Sequence, residues 1–539
     1  MTGTRCSARL RDLMQYTISK HAECVAFLDK RKGDYTAVSY AELGRDLEAL
    51  GIALREVLPM RARVVLLGKN SYAYALTLLA LLQGAFLPVP ADTALSRKEL
   101  EAMVKDTDAT AIFYDESQAE KALSLTGVRA IPFADLARLV QRGRAQGERG
   151  AEHLFEVLED GASPAMLCYR KEGSVLLSHQ NILAALGALE QAFGVTPADT
   201  YLSVCPLASM QELVAGLLHP LSCGASVAFG EGVSTLLGDM QRVRPTTMVV
   251  PPFLAERIYR RLLEAAKEQG WEKVRRTMGV TDAIRPFSLR QKMKAKLLCK
   301  VRRPFGGALC RMVIVGGMLA PLAEQVLSQM GVFPIPTWGT AECAGFVSVG
   351  RERGGPEGSV GALVAGGEMA VENADAFGNG MLFYRGENLA MANEGEWYAT
   401  GEMGRVDEEG HLFVLGRCEN VLSQENNVYV CPEELERLLC ESPLVADAVA
   451  VGVPAEGGGV EIAAVLSPER EYIEKTYGKD LTKEELEGLV ADAVSEVNEA
   501  LPPQKRMALF TLREEPFPRQ LPEAKLRALL ASELLNSVE

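Results

Sequence analysis

The sequence predicts a layered α/β protein with a largely parallel sheet, followed by a small α+β domain at its C-terminal end. Three observations carry this. Short apolar or β-branched runs alternate with helical stretches over most of the chain, the pattern of strand–helix–strand units. After about residue 355 the strand-like runs shorten and are separated by Gly, Asn and Asp turns. Beyond Gly416-Arg417 the chain restarts with its own compact order of helices and strands.

The elements follow in order. Arg63–Leu67 is a short β-branched run, followed by the helical stretch Tyr72–Gln83 and the strand-like residues 86–89. Residues 96–105 read as a helix that precedes a buried strand at 109–114. Thr247–Val250 and residues 311–315 have the same buried-strand composition. Residues 369–372, 380–384 and 411–415 are short strands between turns, which predicts an antiparallel or barrel-like subdomain. The last part contains a helix at 432–441, strands at 446–453 and 461–466, a helix at 482–500 and a strand at 507–512. A domain boundary is expected at 417–419, with residues 1–416 forming the large domain and 417–539 a small mobile one. No internal repeat is evident.

Composition narrows the function. The 539 residues suffice for two or more domains, and 48% hydrophobic with 24% charged residues is a soluble globular balance. With 57 basic against 71 acidic side chains the formal charge is −14, which argues against non-specific binding to nucleic acid or anionic membrane. Eleven scattered cysteines without CxxC spacing and five histidines make a zinc cluster a poor fit. The basic residues near Met1 have no apolar stretch behind them, so no secretory signal is read. The apolar run 74–89 is shorter than a membrane span and is interrupted by Gln83 and Gly84, so no transmembrane segment is expected. These features imply a reduced, cytoplasmic protein.

Several motifs then appear in a fixed order. They are Tyr35-Thr-Ala-Val-Ser-Tyr-Ala-Glu-Leu43, Leu66-Leu-Gly-Lys-Asn-Ser-Tyr72 and Tyr169-Arg-Lys-Glu-Gly-Ser-Val-Leu-Leu-Ser-His-Gln-Asn-Ile182. Leu202-Ser-Val-Cys-Pro-Leu207, Val313-Ile-Val-Gly-Gly317 and Trp338-Gly-Thr-Ala-Glu342 follow. Trp397-Tyr-Ala-Thr-Gly-Glu402, Gly416-Arg417 and Pro432-Glu-Glu-Leu-Glu436 complete the series. In this order and spacing the chain resembles the adenylate-forming superfamily of acyl-CoA synthetases, peptide-synthetase adenylation domains and luciferases. The closest branch looks like bacterial long-chain fatty-acid–CoA ligases. The resemblance implies a large adenylate-forming domain with a mobile C-terminal domain. It also implies a reaction in which a carboxylate joins the α-phosphate of ATP and the acyl-adenylate is then attacked by a thiol. Catalysis of that kind is mostly positioning and charge stabilisation.

The resemblance assigns roles residue by residue. Gly316 and Gly317 match an adenine-side turn, and Trp338 the aromatic residue against the base, with Gly339 and Thr340 in the same motif. Glu342 matches a carboxylate that binds Mg²⁺ near the phosphates, a hard-cation ligand and catalytic group. Glu402 stands for an aspartate that holds the ribose hydroxyls. Arg417 matches an arginine facing ribose or phosphate, and Glu419 the hinge. Asn427 replaces a loop glycine near CoA. Lys525 fits the catalytic lysine if one inserted residue is allowed; without it the position is Ala524.

Departures cluster on the same site. The phosphate loop is about three residues short and lacks its Ser/Thr/Gly cluster, so Arg170 and Lys171, one of which could contact a phosphate, are expected instead to be solvated turn charges. Ala341 replaces a threonine, Met318 a small residue, and Ala208-Ser209 a histidine pair. Trp338 and Met318 read equally well as core packing. Lys525 reads equally well as an ordinary surface charge. The expected function is therefore an AMP-forming acyl-CoA or acyl-carrier-protein synthetase-like protein acting on a fatty or other carboxylic acid. ATP, Mg²⁺ and CoA are its cofactors if activity is retained. The alternatives are an impaired pseudoenzyme that binds nucleotide, acyl group or a protein partner, and a structural subunit with a closed pocket.

Overall fold

Val249, Val250, Val313, Ile314 and Ile335 are buried on both faces of the strands that carry them, which is the condition for a covered parallel sheet. Those strands lie at the centre of a nine-stranded sheet. Its order is Ala362–Leu363, Ser348–Val349, Phe333–Trp338, Arg311–Ile314, Thr247–Val250, Thr200–Ser203, Ser226–Phe229, Val25–Arg31 and Asp34–Ser39. The six strands from Phe333–Trp338 to Val25–Arg31 run parallel, and the outer three are antiparallel to their neighbours. The computed structural model describes residues 7–31, 33–84, 86–148, 160–170, 173–232, 234–268, 302–352, 355–424, 428–454, 460–478, 481–518, 521 and 523–538.

One face of this sheet packs Met248, Val250, Met312 and Ile314 against Leu254 and Ile258 of the helix Pro252–Glu268 and Leu327 of the helix Pro321–Gln329. Each such side chain contributes roughly 1.5–3 kcal/mol on burial. A buried ion pair ties the N-terminal ends of the strands. Arg311 pairs with Asp199 and donates to Thr247 Oγ1 at 3.0 Å, while Thr246 Oγ1 donates to Asp199 at 2.8 Å.

A second sheet, in the order Leu87–Ala91, Arg63–Leu67, Ala111–Tyr114 and Arg129–Pro132, is wholly parallel. Its crossover helix Tyr72–Gln83 begins at Ser71, whose hydroxyl accepts from Tyr74 N at 3.2 Å. A separate hairpin pairs Pro164–Cys168 with Val175–Ser178. Sequence reasoning expected a short turn between a strand at 165–168 and a helix here. The second strand precedes the helix His179–Ala192, which Ser178 and Asn181 open with a capping box.

The chain divides into two compact units. One comprises residues 1–367 with 385–396, and the other 368–384 with 397–539. Within the second, Glu368–Glu372, Gly380–Arg385, Tyr398–Val406 and Leu412–Arg417 form an antiparallel sheet in chain order, so the described pairings make an open meander. A three-stranded sheet of Val445–Pro454, Val460–Pro468 and Leu509–Leu512 follows. Its alternation is regular. Ala448 and Ala450 face Val490 and Val494 of the helix Lys483–Ala500, and Val449, Val451 and Val453 face Leu526, Leu530 and Leu534 of the helix Glu523–Val538. The expected junction at 417–419 falls inside this unit, at the 3-10 turn Cys418–Asn420. No helix among the described residues is long and apolar enough to cross a membrane.

Candidate functional site

In an open parallel sheet the backbone leaves each strand at its C-terminal end, and ligands bind in the crevices formed there. Two neighbouring strands deliver conspicuous turns at that edge. After Arg311–Ile314 the chain turns through Gly316, whose φ of 74° is left-handed, and Gly317, both exposed, to the half-buried Met318. After Phe333–Trp338 it enters a tight loop through Gly339 and Thr340. Thr337 joins the two strands by donating to Ile314 O at 2.7 Å.

The second loop is built for close approach. A Cβ on Gly339 would lie 2.5 Å from Gly345 O and 2.6 Å from the backbone of Phe346, so only glycine fits. The 3-10 turn Ala341–Cys343 is held by Gly345 N to Thr340 O at 2.9 Å and by Asn388 Nδ2 to Cys343 O at 2.8 Å. Ala390 N donates to Glu342 O at 2.7 Å. This turn buries the Glu342 carboxyl, while Trp338 remains half-buried. Within the first unit, then, the structure gathers Gly316, Gly317, Trp338, Gly339, Thr340 and Glu342 at the ends of two adjacent strands.

A buried carboxylate needs a partner, and here it is Arg170. Arg170 Nη2 pairs with Glu342 Oε1. This corrects the expectation that Arg170 is a solvated turn charge, because the low-polarity surroundings of Glu342 favour a counter-charge over water. Lys171 and Asn427 lie outside the described residues. Glu342 Oε2 and Arg170 Nε are both buried without a hydrogen-bond partner. The turn carrying Arg170 is closed by Gly173 N donating to Arg170 O at 3.2 Å, so that N–H is not available to a ligand.

Arg170 also lines a cleft of about 630 Å³, with Leu95, Lys98, Met103, Tyr169 and Ala208 among its walls. The adjoining Pro206-Leu207-Ala208-Ser209 segment rests on a buried polar network. Asn70 Nδ2 donates to Ser203 Oγ at 2.9 Å and to Cys205 O at 2.6 Å, and Ser203 Oγ donates to Glu212 Oε1 at 2.5 Å. Glu212 is fully buried, and burial raises its pKa to about 8, so the carboxyl is largely neutral at pH 7. It opens the π-helical segment Glu212–Leu218. The preceding Gln211 reaches Gly345 O at 3.4 Å and Gly339 O at 3.5 Å, tying this segment to the Glu342 loop. Neither Arg170's pairing nor the roles of Glu212 and Gln211 were expected. A buried acid on an apolar stretch of helix, Glu212 within Glu-Leu-Val-Ala-Gly-Leu-Leu, is the one signal the sequence carried for them.

In the second unit Glu402 and Arg417 face each other across adjacent strands. Glu402 is half-buried and its pKa is raised to about 7, by burial first. Arg417 opposes the rise, while Glu433, Glu523 and Glu419 add to it. Arg417 Nη1 lies 3.4 Å from Glu419 and 3.9 Å from Glu523. The final helix thus presents Glu523 to Arg417. Lys525 is exposed and forms no ion pair among the described residues. The same helix is anchored by Arg527, which pairs with Glu433 at 3.4 Å, with Glu523 at 3.2 Å and with Glu436.

Three comparisons give this geometry a context. A profile described as AMP-binding enzyme matches residues 14–392. The chain is 22% identical over 505 residues to fatty acyl-CoA synthetase A of Dictyostelium discoideum, covering 83% of this chain and 74% of that protein. The structure matches that of the anthranilate CoA ligase AuaEII in complex with anthranoyl-AMP at a TM-score of 0.74, 18% identity and full coverage of both chains. It also matches o-succinylbenzoate CoA synthetase of Bacillus subtilis in complex with ATP and magnesium ion, at a TM-score of 0.68 and 17% identity, over 96% of this chain and 98% of the other.

Proposed function

The chain belongs to the AMP-binding enzyme family, and from that premise we propose that it is an acyl-CoA synthetase-like protein that activates a fatty acid or related carboxylic acid as an acyl-adenylate. The observation that carries the reading is the pair of glycine turns after adjacent parallel strands, with the buried Glu342 beside them. That edge is where an open α/β sheet binds a nucleotide. In the proposed reaction a carboxylate oxygen attacks the α-phosphorus of ATP and the bond to pyrophosphate breaks. A thiol of CoA or of an acyl carrier protein then attacks the acyl carbon. AMP leaves with the bonding pair, and the thiol proton passes to solvent.

The residues divide the work. Gly316, Gly317 and Gly339 let backbone approach the base, with Trp338 against it and Thr340 beside it. Glu342 and Arg170 set the charge at the phosphate. In the second unit the resemblance assigns Glu402 and Arg417 to the ribose and Lys525 to the reacting carboxylate. Glu419 is the proposed pivot for residues 417–539. A cytoplasmic setting follows from the same reading, since ATP and CoA are available there.

One observation favours a second reading, in which ligand is held without turnover. Glu342 is already neutralised by Arg170, and the hairpin turn spends its Gly173 N–H on itself. ATP–pyrophosphate exchange with a panel of fatty acids, alongside thioester formation with CoA and with an acyl carrier protein, separates the two. Exchange that depends on fatty acid is expected. A folded protein that binds nucleotide by calorimetry yet gives no exchange with any acid supports the second reading and removes the first.

A further inference from the structure

Glu342 and Arg170 raise a question of charge that the proposed function leaves open. A divalent cation at a nucleotide's phosphates is hard, prefers six oxygens and usually takes one or two carboxylates from the protein. Glu342 is a buried carboxylate at this edge of the sheet, and its Oε1 is bound to a guanidinium. A dication placed on the same carboxylate would sit against that fixed positive charge. Among the described residues, the one group of three side chains close enough to share a metal ion is Asp407, Glu409 and His411, which lies elsewhere, in the turn between two strands of the second unit. The residues at Glu342 as they stand do not fit Mg²⁺.

They fit something else. A guanidinium carries five N–H donors in a rigid fork. One faces Glu342, and Nε is buried without a partner; the Arg170 side chain keeps 40% of its surface exposed at the cleft wall. The charge left for a ligand is small, because the pair is neutral as a unit. A triphosphate brings about four negative charges, more than one guanidinium already paired to a carboxylate can balance, and the Gly173 N–H is taken by Arg170 O. A phosphate monoester or mixed anhydride brings one or two charges and needs one fork. We infer that this site, if it is the nucleotide site proposed above, takes an adenylate bearing a single phosphate without a divalent cation, with Arg170 standing in for the metal at Glu342. Activation from ATP then proceeds slowly, and the adenylate is the more tightly held species.

Calorimetry on the full chain tests this, with AMP and with ATP as probes, each in excess Mg²⁺ and in excess chelator. The wild type should bind AMP equally under both conditions and more tightly than ATP. Glu342→Gln removes the charge that occupies Arg170 and should tighten AMP about tenfold, the scale of one charge-assisted contact. Arg170→Ala should weaken AMP about tenfold and make ATP affinity rise when Mg²⁺ is added, because the carboxylate is released to the ion. Wild-type ATP affinity that rises tenfold with Mg²⁺ and exceeds that for AMP overturns the inference and leaves the nucleotide site intact. An unchanged AMP affinity in Glu342→Gln also overturns it, even if Arg170→Ala fails to fold. No binding of either nucleotide under any condition overturns the nucleotide site itself.

Discussion

Glu212 offers a direct measure of how far the buried network beneath the Ala208-Ser209 segment shapes stability. The carboxyl is fully buried, accepts from Ser203 Oγ on one oxygen and has no partner on the other. Burial raises its pKa from 4.5 to about 8, with the Ser203 hydrogen bond opposing the shift. The sign follows from linkage. A folded state that binds a proton more tightly than the unfolded one has its full stability below about pH 4.5 and loses it as pH rises through about 8. The rise from 4.5 to about 8 corresponds to roughly 5 kcal/mol lost above about pH 8, with more than half of it gone by pH 7. Glu212→Gln keeps the shape and the acceptor for Ser203 and removes the titration. Its amide would meet no partner, but the protonated wild-type oxygen meets none either, so near pH 5 the two proteins should agree within about 1 kcal/mol. Near pH 8 the variant should be more stable by roughly 3 kcal/mol or more. Urea titrations followed by far-UV circular dichroism at about pH 5, 7 and 8 read this out as diverging midpoints. Parallel curves for the two proteins would refute the reasoning and place the ionised carboxylate comfortably in the fold.

Three further perturbations follow from the same geometry. Gly339→Ala puts a methyl 2.5 Å from Gly345 O; it should cost about 1–3 kcal/mol in thermal or urea unfolding and weaken nucleotide binding through displacement of the Glu342 turn. Arg311→Ala leaves Asp199 buried without its partner, so stability should fall by about 3–5 kcal/mol, with nucleotide affinity retained in protein that stays folded. Glu402, held near pH 7 chiefly by burial, should give a nucleotide affinity that rises from about pH 6 to 8 as the ribose-binding anion forms, and Glu402→Gln should abolish that rise.

Local composition made much of the fold legible. Thr247–Val250, Arg63–Leu67 and the helix Tyr72–Gln83 have the bounds expected of them, because each is an apolar run whose burial leaves one conformation. The helix expected at 432–441 is Pro432–Cys440, started by a proline whose missing N–H costs nothing at a helix N-terminus. The strand Val175–Ser178 was not legible. Its four residues lie directly against a helix cap, and only pairing with Pro164–Cys168 makes them a strand. Arg170 was illegible for a related reason. Nothing near Tyr-Arg-Lys-Glu-Gly indicates that a carboxylate from a distant loop will be buried beside it.

The site residues divide along the same physical line. Gly316 and Gly339 were legible because backbone geometry restricts the residue type, through a left-handed φ at one and a Cβ collision at the other. The charged residues were legible as identities but not as charges. Glu342 reads in sequence as an open ligand and in the fold as half of an ion pair. Glu402 reads as an anion, yet burial and the carboxylates Glu433, Glu523 and Glu419 leave it near half-protonated at pH 7. At Lys525 the question of one inserted residue has a structural counterpart: the final helix sets Glu523 before Arg417 and leaves the lysine exposed. In each case the side chain alone does not determine the charge a ligand would meet. The neighbours do, and they come from elements far apart in the chain. Turnover in this protein therefore depends on two partners, Arg170 for Glu342 and Arg417 for Glu402, and on which ligand charge can displace or share them.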